Sequence, residues 1–161
     1  MRFSEHVCAK SAPGNFDSVR ALVDSFTCYY PDISTWFVEK VTAGLANGSR
    51  RIIVDRCDNR INGLLIAKRE AHERKICTLW VHPSSRDSGL AYEMVDEAIA
   101  WLDCSKPLLS LPEEAFDDFR SIVKIYDFDV CQVAPEYYRC GKVEYVLNGR
   151  LGSRATSANL Q

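Results

Sequence analysis

The chain has 161 residues, of which 47% are apolar and 26% charged, with a formal net charge of -2. That length suits one compact domain, and the charge argues against a dedicated nucleic-acid binder, which needs a basic face against phosphate. No apolar run nears the ~20 residues of a bilayer-spanning helix, and the start, Met1-Arg2-Phe3-Ser4-Glu5-His6, lacks the apolar stretch of a signal peptide, so we expect a cytoplasmic protein with no membrane partner.

In chain order, a short strand is predicted over Glu5–Ala9, then a break at Ser11–Asn15, with Asn15 as helix N-cap. Phe16, Val19, Leu22, Val23 and Phe26 recur at helical spacing up to Tyr29-Tyr30-Pro31-Asp32. A second helix carries Ile33, Phe37, Val38, Val41 and Leu45 on one face and stops at Asn47-Gly48. The period then changes. Arg51–Asp55, a turn at Asp58-Asn59-Arg60 and Ile61–Lys68 form an antiparallel hairpin, followed by a strand over Lys75–Val81. A helix over Gly89–Asp103, a strand over Leu108–Leu111, a helix over Glu113–Tyr126 and strands at Val130–Val133 and Val143–Leu147 complete the order. The Lys75–Leu111 crossover predicts one parallel pair in an otherwise mainly antiparallel sheet. We expect one domain over residues 1–150 and a flexible tail over 151–161.

Seven cysteines (Cys8, Cys28, Cys57, Cys77, Cys104, Cys131, Cys140) are widely spaced without a C-x-x-C, and the three histidines sit at no ligand spacing. This predicts no metal, and reduced cysteines acting as small buried hydrophobes.

Chemistry concentrates where the Lys75–Val81 strand ends at Pro83 and a helix starts near Gly89. Unpartnered N–H groups and the helix dipole at such a start suit a phosphate, and a glycine lets a ligand close to the backbone. Arg86-Asp87-Ser88-Gly89-Leu90-Ala91 fits Q/R-x-x-G-x-G/A, after a strand reading Leu79-Trp80-Val81-His82-Pro83. In this segment, and in the order of its elements over about residues 3 to 149, the chain resembles the GNAT acetyltransferases. Asp127-Phe128 stands where that family has its usual Gly-Phe.

The resemblance implies an α/β (α+β) fold, with a central mixed, mostly antiparallel sheet and helices on both faces. It implies an N-acetyltransferase that takes acetyl-CoA as acyl donor and passes the acetyl group to an amine by direct attack, without a metal. The N–H groups of Arg86, Asp87, Ser88, Gly89, Leu90 and Ala91 would hold the CoA pyrophosphate, and the backbone of Leu79 and Val81 would pair with the pantetheine arm. Leu79 N–H would face the thioester carbonyl, and the strands Lys75–Val81 and Leu108–Leu111 would splay. Asp87 adds a negative charge near the phosphate.

The strand Lys75–Val81 has no carboxylate, and Lys75 occupies the place of the family's usual basic glutamate. Glu73, with Glu70, is the nearest carboxylate and the candidate base. Val123 stands where the family has its acidic tyrosine, so Tyr126 is the candidate acid. Cys77 and Cys104 lack a histidine placed to activate a thiol. Tyr29, Tyr30 and Asp32, with Glu136, Tyr137 and Tyr138, are candidates to line an acceptor pocket; aromatic rings with a carboxylate suit a cationic amine. The reading admits a homodimer. The competing reading is a regulator of the same fold that binds acetyl-CoA and then a partner protein with little turnover.

Overall fold

A computed structural model describes residues 4–7 and 13–153 of the chain. Its centre follows from strand alternation. In β2 (Arg50–Cys57) Ile52 and Val54 face one side and Ile53 the other; in β3 (Arg60–Arg69) Leu64 and Ile66 oppose Leu65 and Ala67. Successive strand residues point to opposite faces, and here both faces are apolar, so both need cover.

One face is covered by α1 (Pro13–Asp24), a tight turn at Ser25–Cys28, and a second helical stretch made of α2 (Ile33–Trp36), a π turn at Phe37–Val41 and α3 (Thr42–Asn47). Val19, Val23, Phe26, Ile33, Trp36, Phe37 and Val41 are buried there, each aliphatic or aromatic side chain worth about 1.5–3 kcal/mol by transfer. Val38, expected on the inner face, is exposed. Gly48 ends the stretch at φ 80°, the left-handed stop the sequence predicts.

The other face carries α4 (Leu90–Leu102) and α5 (Arg120–Ile125). Leu90, Met94, Val95, Ala98 and Leu102 make the buried stripe of α4. A Cβ on Gly63 of β3 would stand 2.6 Å from Met94 Sδ, so glycine is what lets α4 rest on the strand.

With β1 (Ser4–Val7), β4 (Arg74–Val81), β5 (Leu108–Pro112), β6 (Val130–Pro135) and β7 (Val143–Leu147), the sheet has seven strands in the order β1-β2-β3-β4-β5-β7-β6. Every neighbouring pair is antiparallel except β4–β5. The Asp58-Asn59 turn has φ 49° and 66°, as a two-residue hairpin loop requires.

Four further expectations change. Helix α1 begins at Pro13, so Asn15 lies inside it and is not the cap; proline is favoured at a first helical position. The helix expected over Glu113–Tyr126 is two single turns, Glu113–Ala115 and Asp117–Phe119, before α5. Cys28, Cys57, Cys131 and Cys140 are exposed and so are not the buried hydrophobes expected, whereas Cys77 and Cys104, half-buried, pack against the two core clusters. Strand β1 ends at Val7; Cys8, Ala9 and residues 154–161 of the expected tail lie outside the described residues. Among the described residues no helix is long and apolar enough to cross a membrane.

Candidate active site

The parallel pair β4–β5 consists of two rungs, Lys75 with Leu108 and Ile76 with Leu109. Beyond them β4 runs on to Val81 and β5 to Pro112 without pairing. The result is a slot, closed at Ile76–Leu109 and open toward the strand C-termini. His82 donates its N–H to Asn62 O on the β3 side at 2.7 Å. Backbone groups alternate along a strand, so the N–H groups of Leu79 and Val81 point the other way, into the slot. The side chains of Leu79 and Val81 pack on the α4 face, and those of Cys77 and Trp80 on the α1–α3 face.

At the open end, His82 Nδ1 accepts the Ser84 N–H at 3.1 Å and caps the turn Pro83–Ser85. Asp87 (φ 58°) and Gly89 (φ 85°) are both left-handed, which coils the segment back onto the start of α4. The N–H groups of Tyr92 and Glu93 both reach Gly89 O, at 3.1 and 3.2 Å. Those of Leu90 and Ala91 come before the first intrahelical bond and face outward. A Cβ at Gly89 would meet nothing within 4 Å, so space lies open in front of this backbone. Arg86, Asp87 and Ser88 are exposed; Ser88 Oγ donates to Ser85 O at 2.6 Å, and Arg86 Nη1 lies 3.4 Å from Asp118 Oδ2 across the mouth.

The α1–α3 face of the slot holds a buried polar cluster. Beyond the Ile76–Leu109 rung a bulge at Cys77 shifts the faces of β4, while β5 runs on through Ser110 to Pro112, whose β7 partner is Glu144. Glu144 is 3% exposed. It accepts the Tyr30 hydroxyl at 3.0 Å and is hydrogen-bonded by Ser110. Burial pushes its carboxyl up to about 7, against the pull of these hydrogen bonds and of Arg139 and Lys75. Lys75 is 1% exposed; burial pushes its ammonium down to about 8, offset in part by Cys77 and Glu144. Arg50 Nη1 donates to Cys77 Sγ at 3.4 Å, its stem lying where a Cβ on Gly44 would collide at 2.5 Å.

Two tyrosines roof the cluster. Tyr30 and Tyr138 meet edge to face at 5.1 Å, and burial raises both hydroxyls far above the ordinary tyrosine range, so both stay neutral. The roof is braced from outside. Arg139 grips Glu114 through two bonds of 2.9 and 2.7 Å and donates to Cys28 O at 3.4 Å, while Lys142 Nζ and the Val143 N–H hold Glu113.

The structure thus brings Tyr30 and Tyr138 together at the slot, with Leu79, Val81 and the Arg86–Ala91 segment along it. Tyr29 lies outside, half-exposed under Arg139 at 5.6 Å, and Tyr137 donates to Gly152 O. Glu136 accepts the Gly141 N–H in its own hairpin. Glu73 is placed at the closed end, ion-paired to Lys68 and six residues before Leu79, which is ~20 Å along a strand. Tyr126 sits on the α4 side. Its hydroxyl is 2.7 Å from Asp96 Oδ1 and 3.1 Å from Tyr92 O, and burial with the bond to Asp96 raises it well above its usual range. Asp127 has φ 51°, which explains why a glycine suits that place, and Phe128 after it is buried. Glu144 was invisible in sequence because it is one polar residue in an ordinary strand. Among the described residues no group of three or more His, Cys, Asp or Glu side chains is placed to hold a metal ion.

A model of the acetyltransferase (GNAT) family matches residues 19–114. Solved structures share the fold at low identity. Ard1 from Thermoplasma volcanium is 17% identical, with a TM-score of 0.65 over 91% of this chain and 95% of its own. A GNAT-family protein from Desulfovibrio desulfuricans is 14% identical, with a TM-score of 0.69 over 91% and 97%. An aminoglycoside 6'-N-acetyltransferase solved with coenzyme A is 12% identical, with a TM-score of 0.60 over 91% and 94%. No curated protein matches the chain.

Proposed function

Because the chain belongs to the GNAT acetyltransferase family, we propose that it transfers an acetyl group from acetyl-CoA to an amine by direct attack, with Glu144 as the base. The observation that carries the proposal is the buried carboxyl of Glu144, held by the Tyr30 hydroxyl on the face of the slot away from α4.

Acetyl-CoA enters as substrate with its pyrophosphate on the N–H groups of Arg86–Ala91 and its arm along Leu79 and Val81. A carboxyl held near 7 is matched to taking a proton from an ammonium at neutral pH. Once Glu144 has that proton, the neutral amine attacks the thioester carbonyl. The N–C bond forms, and the Leu79 N–H stabilises the developing oxyanion. Collapse breaks the C–S bond. The second nitrogen proton goes to the departing thiolate, giving an amide and a free thiol, and Glu144 returns its proton to water. Tyr126, its hydroxyl engaged by Asp96, is not needed in this sequence of steps. Holding amine and thioester together accounts for much of the acceleration expected.

The test follows free thiol release from acetyl-CoA with a broad amine panel. Turnover that falls about a hundredfold or more in Glu144→Gln, at unchanged acetyl-CoA affinity, supports the assignment. Tight acetyl-CoA binding without thiol release from any amine would favour the regulator instead.

A further inference from the structure

One charged group in the cluster has no counterpart. Lys68 is matched by Glu73 and Glu70, and Arg50 by Cys77 and the face of Trp36 at 5.5 Å. Lys75, 1% exposed, makes no hydrogen bond or ion pair with any described residue. It lies on the same face as Glu144 and feels that carboxyl without touching it. Native proteins satisfy nearly all buried polar groups, and an ammonium buried without an anion is strongly unfavourable. An anion that arrives with the substrate resolves both.

We infer that the acceptor is a free amino acid, bound with its amine at Glu144 and its carboxylate on the Lys75 ammonium. This rests on the acetyl-transfer reading above and names the substrate class for the same site. An ammonium and a carboxyl that share a wall but do not pair are complementary to a zwitterion. One unmatched cation calls for one negative charge, which favours a carboxylate over a phosphate. The same cation, with Arg50 and Lys68 behind it, repels the second positive charge of a polyamine. The Tyr30–Tyr138 roof, braced by Arg139 and Glu114, keeps the acceptor small.

The experiment compares each amino acid with its decarboxylated twin, using thiol release by the full chain: L-alanine with ethylamine, L-leucine with isopentylamine, L-phenylalanine with phenethylamine, L-tyrosine with tyramine, and spermidine as the dicationic control. At least one amino acid should exceed its twin about tenfold or more in kcat/KM, the value of a charge-assisted hydrogen bond. Lys75→Met and Lys75→Gln should each collapse that ratio, chiefly through the KM of the amino acid. A merely structural defect would slow both members of a pair alike. Twins that match or beat their amino acids in every pair, or a ratio that survives both variants, would overturn the inference. Release with spermidine alone keeps acetyl transfer and sinks the amino-acid site; release with no amine at all sinks both.

Discussion

Replacing Lys75 by methionine should raise stability while harming acceptor use. In the folded chain its ammonium is pushed from 10.5 down to about 8 by burial. At about 1.4 kcal/mol per pH unit, the folded protein pays about 3 kcal/mol for keeping this group charged at neutral pH. Between pH 8 and 10.5 the unfolded chain holds the proton that the folded chain has lost, so stability rises with pH through that window, and the penalty is complete only below pH 8. Methionine keeps an unbranched stem of similar length and drops the charge. At about 2–4 °C per kcal/mol for a chain of this size, the melting temperature at pH 7 should rise by roughly 5–10 °C. Scanning calorimetry across pH checks this. The gain should shrink steadily as the wild type loses its proton above pH 8. A variant that melts at or below the wild type at pH 7, or whose gain is the same at pH 10.5, would show that Lys75 is already satisfied in the fold and that no vacant counter-charge exists.

Further outcomes follow from the same geometry. The kcat/KM of the wild type should rise with pH through about 7, because only the ionised Glu144 accepts a proton; a profile flat from pH 5 to 9 would assign the base elsewhere. In Lys75→Met that inflection should move upward, since Lys75 helps to lower Glu144. Gly89→Trp should abolish acetyl-CoA binding in calorimetric titration, because the indole fills the open space before the helix start and strains a φ of 85°; unchanged affinity would remove the phosphate site from Arg86–Ala91. Tyr126→Phe should lower stability by about 1 kcal/mol through the lost bond to Asp96 and leave kcat within a few-fold; a hundredfold loss of kcat at unchanged acetyl-CoA affinity would restore Tyr126 as the acid.

Strand and helix periods were readable wherever one face of an element is buried. Ile52 to Val54, Leu64 to Ala67 and the stripe of α4 announce their faces directly. The strand-to-helix junction was legible because Pro83 and Gly89 mark it in the backbone. The buried polar cluster was not, because it depends on contacts far apart in sequence. Tyr30 and Glu144 are 114 residues apart and meet only when β7 is inserted between β5 and β6. The alternation of Val143, Glu144 and Tyr145 suggests a solvent-facing glutamate, yet that side of β7 lies under the tyrosine roof. Lys75 was noticed for its place, but its burial could not be inferred from the charged run before it. The stretch after Pro112 misled for a different reason. Phe116 and Phe119 have helical spacing, but Glu113 and Glu114 are drawn away to Lys142 and Arg139, which splits the first turns from α5.

The two rungs between β4 and β5 make the sheet less a single slab than two leaves joined along a short spine. Strands β1 to β4 form one leaf and β5, β7 and β6 the other. A pantetheine arm laid along Leu79 and Val81 would act as stitching, adding hydrogen bonds to a seam the polypeptide leaves open. The acyl donor would then be a structural member as well as a reagent, and the two leaves would be joined more firmly with it in place than after it departs.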